Sequence, residues 1–186
     1  MNLKVNKILD FWFIETSAEQ KFKKDLKFDQ IIKDKFLNDH ELASQNKLDK
    51  WQSTDRGCLA LIILLDQFSR NLFRESKKSF EQDEKSRSVL HKIVENNFLD
   101  TMNESERLFA LLPFIHSENI LDHKKAYVLM EKYLSNHSEL DKIKKFWLDH
   151  TTAIKKFGRY PHRNKVLNRV SSVGEIDFLN SPNSSW

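Results

Sequence analysis

The sequence predicts an all-α protein, and three observations carry that prediction. Only three glycines and three prolines interrupt the 186 residues, so tight turns are few. Apolar residues recur at spacings of three and four along most of the chain, which places them on one face of a helix. Alternating apolar and polar runs of strand length are hard to find. The expected architecture is seven or eight helices joined by short connections and packed as antiparallel pairs. It forms one domain, 1–186, with a serine-rich tail that frays from about residue 181.

Each element has a local reason. An opening helix around Lys4 to Phe13 sets Val5, Ile8, Leu9 and Trp12 on one side. A second, from about Asp29 to Ala43, carries Ile32, Phe36 and Leu42 and leads through a turn to Trp51. Thr54 is placed to cap "DRGCLALIILLDQFSRN", whose apolar residues surround the axis and predict burial on most sides. "SFEQ", Ser79 to Gln82, has capping-box spacing ahead of the stripe Val89, Leu90, Ile93 and Val94. "NESE", Asn103 to Glu106, opens the helix "RLFALLPFIHSE", in which Pro113 removes an amide donor and predicts a kink or an early stop. Asn119 caps "ILDHKKAYVLMEKYL", Ser138 caps a helix to Phe157, and Gly158 stops it. "SVGE", Ser172 to Glu175, opens a last short helix.

Composition narrows the function classes. Thirty-one basic and 27 acidic side chains leave a formal charge of +4, too small by itself to imply nucleic acid or a membrane. The longest apolar run, "CLALIILL", is far shorter than the roughly 18 residues that span a bilayer. The start "MNLKVNKILDFWF" lacks the order of a secretory signal, so a cytoplasmic protein is expected. Cys58 is a lone cysteine in an apolar run and reads as an inert buried thiol.

Polar groups then stand where apolar ones are expected. Asp66 and Arg70, four apart, continue the buried stripe of the central helix, with Gln67 and Asn71 as an adjoining pair. They read as an ion pair that fixes helix docking, or as a carboxylate aiming an arginine at an anion. His150 occupies a core position between Trp147 and Ile154, either as a hydrogen-bonded core residue or as a ligand contact. His116 points inward at a helix end beside Ser117 and Glu118, a combination suited to acid–base work. The segment "FGRYPHRNKVLNR", 157–169, gathers Arg159, His162, Arg163 and Asn164 around Gly158 and Pro161. Such a turn can present forked donors to a small anion from a rigid backbone, or pin the last helix through hydrogen bonds to Asp66, Glu118 or carbonyl groups. Histidine and carboxylate spacings match no metal motif, so neither a metal nor another cofactor is expected.

The ordered motifs "LALIILLDQFSRN", "LLPFIHSE" and "FGRYPHRN", with an early "FWF" and Trp51 ahead of the apolar helix, resemble the bacterial domain-of-unknown-function family 924 over nearly the whole chain. The resemblance implies an all-α fold similar to tetratricopeptide-like superhelices and implies no activity. Ser69 departs from the proline usual in that family, Tyr160 replaces its phenylalanine, and His123 stands where glutamine is common, which makes His123 a poor candidate for an essential ligand.

The functional expectation is a pocket protein. Arg70, Arg159 and Arg163, with Asp66, Asn71, His150 and Asn164 around them, would hold a small anionic molecule; His116 or His162 would face its reactive part, with Glu118 or Asp66 orienting the imidazole. Chemistry at such a site would be acid–base hydrolysis or group transfer. The rival is a non-catalytic helical scaffold that binds a peptide or a partner protein.

Overall fold

A computed structural model describes residues 3–182 and 184. Every regular element among them is helical, and none is a strand. The chain divides into two compact units, Met1–Pro113 and Phe114–Trp186.

The first unit contains α1 (Leu3–Asp10), α2 (Ala18–Phe22), α3 (Leu26–Ser44), α4 (Asp55–Ile62), α5 (Ser69–Leu72), α6 (Asp83–Glu95) and most of α7 (Glu104–Ile115). Its core is aromatic. Phe11 lies 4.9 Å from Phe36, Phe36 lies 5.0 Å from Phe68, and Trp12 meets Phe68 and Phe109 edge-on at 5.6 and 5.4 Å. Cys58 through Leu65 are all fully buried, as their all-round apolar pattern predicts. Each leucine or isoleucine in this run contributes about 1.5–3 kcal/mol on full burial.

Two stretches depart from the regular helix that periodicity predicts. The chain widens into π-helical turns at Phe11–Glu15 and Ile63–Phe68; the second joins α4 to α5 into the one continuous helix expected after Thr54. A π turn leaves carbonyls without their α-helical donors, and a hydroxyl serves in each case. Thr16 Oγ1 donates to the Phe11 carbonyl at 2.7 Å, and Ser69 Oγ to the Leu65 carbonyl at 2.6 Å.

Caps follow local chemistry with two exceptions. Thr54 accepts from the Gly57 amide at 3.1 Å; Asn103 and Glu106 satisfy each other's amides at 3.0 Å; Asn119 accepts from Leu121 at 2.9 Å. Ser79, expected to open a helix, instead sits in a 3₁₀ turn, Lys77–Ser79, because Ser76 caps that turn and takes the Ser79 hydroxyl, and α6 begins only at Asp83. Ser138 is likewise not a cap, since α9 starts at Leu140 from Glu139 without a side-chain acceptor. The helix beyond the seven or eight expected is α2, opened by a Ser17–Gln20 capping box.

The second unit contains α8 (Ile120–Tyr133), α9 (Leu140–Phe157) and α10 (Val173–Leu179). Helix α7 runs through Pro113 to Ile115 rather than stopping before it. Helices α8 and α9 are antiparallel: His123 meets Thr151 and Tyr127 meets Trp147, so the register falls on one helix as it rises on the other. Gly158, at φ +67°, ends α9 in the left-handed conformation that glycine adopts without strain. The fraying expected beyond residue 181 falls in part on residues 183, 185 and 186, outside the described residues.

Candidate functional site

Sequence-predicted site residues fall in both units. In the first, the π turn buries Asp66 completely, and Arg70 comes back to it at 3.4 Å. Arg70 also pairs with Asp83 at 2.8 Å, donates to the Ser79 carbonyl and lies 4.7 Å over the Phe80 ring. Asn71 donates to Asp29 at 2.8 Å, and Arg74 closes a two-pronged fork on the same carboxylate at 2.7 Å. These groups thus tie α3, α5 and α6 together. His40 is buried beside them: its Nε2 lies 2.8 Å from Ser69 Oγ, and burial pushes its pKa down to about 4.

In the second unit the loop after Gly158 is fastened at two points by arginine–carboxylate forks. Arg159 donates to both Glu175 oxygens at 2.7 and 2.8 Å. Glu175 doubles as the capping-box residue of α10, so one carboxylate opens the helix and ties it to the loop. The Arg159 hydrogen bonds hold that carboxyl well below the usual range. Arg169 donates to both Glu118 oxygens at 2.7 and 3.0 Å, and the Tyr160 amide adds a third bond at 2.8 Å. Burial alone would raise the Glu118 pKa, but these donors and the charges of Arg169 and Arg163 outweigh it and lower it. Asn164 bridges the two forks, accepting from Arg169 at 2.9 Å and donating to Glu175 at 3.2 Å.

Tyr160, fully buried, is the hub of what these forks enclose. Its hydroxyl donates to the Ile115 carbonyl, and three imidazoles surround its ring, with centroids at 5.5 Å for His162, 5.8 Å for His150 and 6.4 Å for His123. The Arg163 guanidinium lies 4.5 Å over the same ring and donates to the His116 carbonyl at 3.0 Å. His116 in turn lies 6.2 Å from His150.

The bonds of two histidines fix their tautomers. A carbonyl only accepts, so His150 Nδ1, 2.8 Å from the Phe146 carbonyl, carries its proton, and Nε2 is the basic nitrogen. By the same reasoning His123 donates from Nε2 to the Ser117 carbonyl at 2.9 Å, and Nδ1 accepts from Thr151 at 2.8 Å. Both His123 nitrogens are thus engaged by protein groups. Burial, then the neighbouring His116, pushes the His150 pKa well down, with His162 and Arg163 adding to the effect. The second unit therefore sets His150, His162 and Arg163 against one ring, with His116 beside His150. Arg159, Asn164 and Glu118, expected to face a ligand or a reacting group, have their polar atoms on the loop and on α10.

Sequence reasoning missed Tyr160 as the hub, and Arg169 and Glu175 as partners. The capping-box spacing of Ser172 and Glu175 was a visible signal for the last of these, but of a helix start only. Cys58 is buried, and burial with the nearby Asp55 raises its thiol pKa to about 11, consistent with an inert thiol. Among the described residues no group of three or more His, Cys, Asp or Glu side chains is disposed to hold a metal ion, and no helix is long and apolar enough to cross a membrane.

Comparison with known proteins agrees with the architecture. The structure of a protein of unknown function from Agrobacterium tumefaciens superposes with a TM-score of 0.85 at 30% sequence identity, covering 95% of this chain and 97% of that one. No curated protein matches the sequence. The family model described as "Bacterial protein of unknown function (DUF924)" matches residues 8–183, and the chain belongs to that family.

Proposed function

We propose that the second unit binds a small anion among His116, His150, His162 and Arg163. The observation that supports this reading is the gathering of His150, His162 and the Arg163 guanidinium against the Tyr160 ring, with His116 6.2 Å from His150. Burial is the main reason the His150 proton is held weakly, and the positive or protonatable groups close by add their opposition. A negative guest removes that opposition, and His116 and His162 are only half-buried, so one can approach. Arg159, Glu118 and Asn164 serve the site by holding the loop rigid, which lowers the ordering cost of binding. A hydrolase or transferase built here would use His150 Nε2 as the base and His116 or His162 as the acid.

A melting-temperature screen of the full chain against anionic metabolites tests the proposal, because a ligand specific to the folded state raises the midpoint by mass action. A rise that is lost in His162→Gln supports it; a broad panel without a single rise contradicts it. One observation favours the scaffold alternative. Val170, Val173 and Ile176 are 88%, 76% and 51% exposed and three residues apart, an apolar stripe leading along α10 that would suit a peptide or protein partner.

A further inference from the structure

A separate arrangement, within the first unit, sets one cation in a corner of aromatic rings. Trp12 and Phe13 are adjacent in sequence and on a regular α-helix would point about 100° apart. They lie instead in the π turn Phe11–Glu15, whose wider turn shortens that angular step and draws the two rings toward one side. Phe109 of α7 completes the corner. It meets Trp12 at 5.4 Å and Phe13 at 5.8 Å, edge-on in both cases, with interplanar angles of 85° and 76°.

Lys21 of α2 occupies that corner. Its Nζ lies 5.8 Å from the Trp12 ring centroid, 5.8 Å from Phe13 and 5.7 Å from Phe109, so three rings converge on one nitrogen. The attraction is that of a positive charge for the negative faces of the rings. Among the described residues no carboxylate pairs with this amine, and burial alone acts on its pKa, pushing it down.

A primary ammonium is a mismatched occupant for such a corner. It is compact, strongly hydrated and carries three N–H donors, which aromatic rings satisfy less well than oxygen does. A quaternary ammonium has no N–H to satisfy, spreads its charge over methyl groups and leaves water at lower cost, which is why aromatic cages recognise it. Lys21 is also placed to leave. It sits on a five-residue helix with no buried residue, and its neighbour Phe22 is 63% exposed where it stacks on Phe109 at 6.1 Å. The lysine is a tethered stand-in for a better cation. We propose that the corner of Trp12, Phe13 and Phe109 binds a small quaternary ammonium compound, one that carries a trimethylammonium group, and that this group displaces Lys21.

Choline is the probe, and dimethylbutanol, in which carbon replaces the nitrogen, is its uncharged control of the same shape. Each is titrated calorimetrically into the full chain at constant ionic strength. Choline is expected to bind about tenfold more tightly than the control. Lys21→Ala removes the tethered competitor from a helix with no buried residue and should raise choline affinity about threefold or more. Phe13→Leu keeps an apolar side chain at a half-buried position but removes the ring, and should lower choline affinity about fivefold. If Phe13→Leu does not fold, the control compound and Lys21→Ala decide. Equal binding of choline and dimethylbutanol would reduce the corner to an apolar patch and overturn the proposal. So would a Lys21→Ala chain whose choline affinity is unchanged or weaker, or the absence of choline binding in both the parent and Lys21→Ala.

Discussion

The two units combine apolar burial and ion pairs in different proportions. Residues 1–113 close around stacked and edge-on aromatic rings and an eight-residue run, Cys58 to Leu65, with no exposed surface. In residues 114–186, two arginine–carboxylate forks and the histidines around buried Tyr160 stand beside an apolar core that includes Trp147, Ala153 and Ile154. The aromatic part of the first unit is tolerant of pH, because apolar burial depends little on it; the titratable exception in that unit is His40, buried against Ser69. A core of forks and imidazoles is specific in geometry and sensitive to protons, which is an unusual investment for a region that only needs to be stable. The contrast is one reason we propose the anion site in the second unit.

The largest expected effect is in the first unit. Phe36→Ala leaves a cavity between Phe11 and Phe68 and should cost about 3–5 kcal/mol, seen as a lower denaturant midpoint at any pH from 6 to 8. In the second unit, Glu118→Ala strands the Arg169 fork and the Tyr160 amide; since both partners are partly exposed, about 2–3 kcal/mol is expected by the same measurement. A loss below 0.5 kcal/mol would mean that the forks are not what holds this loop.

Acid sharpens the comparison. The Glu175 carboxyl has a folded-state pKa below its unfolded value, so its stabilisation is complete above the ordinary carboxylate range and is lost as the pH falls through that range toward the folded value. His40 and His150 have folded pKa values below the imidazole value of 6.5, so folded chains resist protons that unfolded chains accept, and stability starts to fall once the pH drops below 6.5. For His40 alone, with a folded pKa of about 4, the loss by pH 4 is on the order of 3 kcal/mol. His40→Gln should flatten the dependence between pH 6.5 and 4, and an unchanged slope would remove His40 from the account. The smallest effect expected is Ser69→Ala. It leaves the Leu65 carbonyl of the π turn and the His40 ring without the hydroxyl they share, at about 1–2 kcal/mol by denaturant titration.

Much of the fold was legible because it follows from local rules. Thr54, Asn119, Ser172 and Gly158 act where their side chains or backbone freedom place them, and the all-round apolar helix is buried on all sides. Helix α2 was not legible, because its capping box precedes five residues with no buried stripe behind it. Neither were the π turns, whose wider hydrogen-bond step leaves the 3.6-residue pattern intact on either side. Ser79 shows the limit of spacing: it has the box sequence, but Ser76, three residues earlier, takes its hydroxyl and draws the backbone into a tighter turn. The candidate site was legible as residue types and illegible as pairs. Nothing in a single sequence says that Arg169 closes on Glu118, 51 residues away, or that Arg159 closes on Glu175, and those two pairings separate the arginines that hold the loop from Arg163, which meets the histidines.

That separation is tested most directly by comparing Arg159→Ala with His162→Gln, measuring the melting temperature of each and its affinity for sulfate, a small anion. Arg159→Ala is expected to lower the melting temperature by opening the Glu175 fork, and to weaken sulfate only as far as the loop loosens. His162→Gln is expected to leave the melting temperature within about 2 °C of the parent while weakening sulfate about tenfold or more. Full sulfate affinity in His162→Gln, together with a large fall in its melting temperature, would contradict the assignment and make the histidine cluster a device of the fold alone.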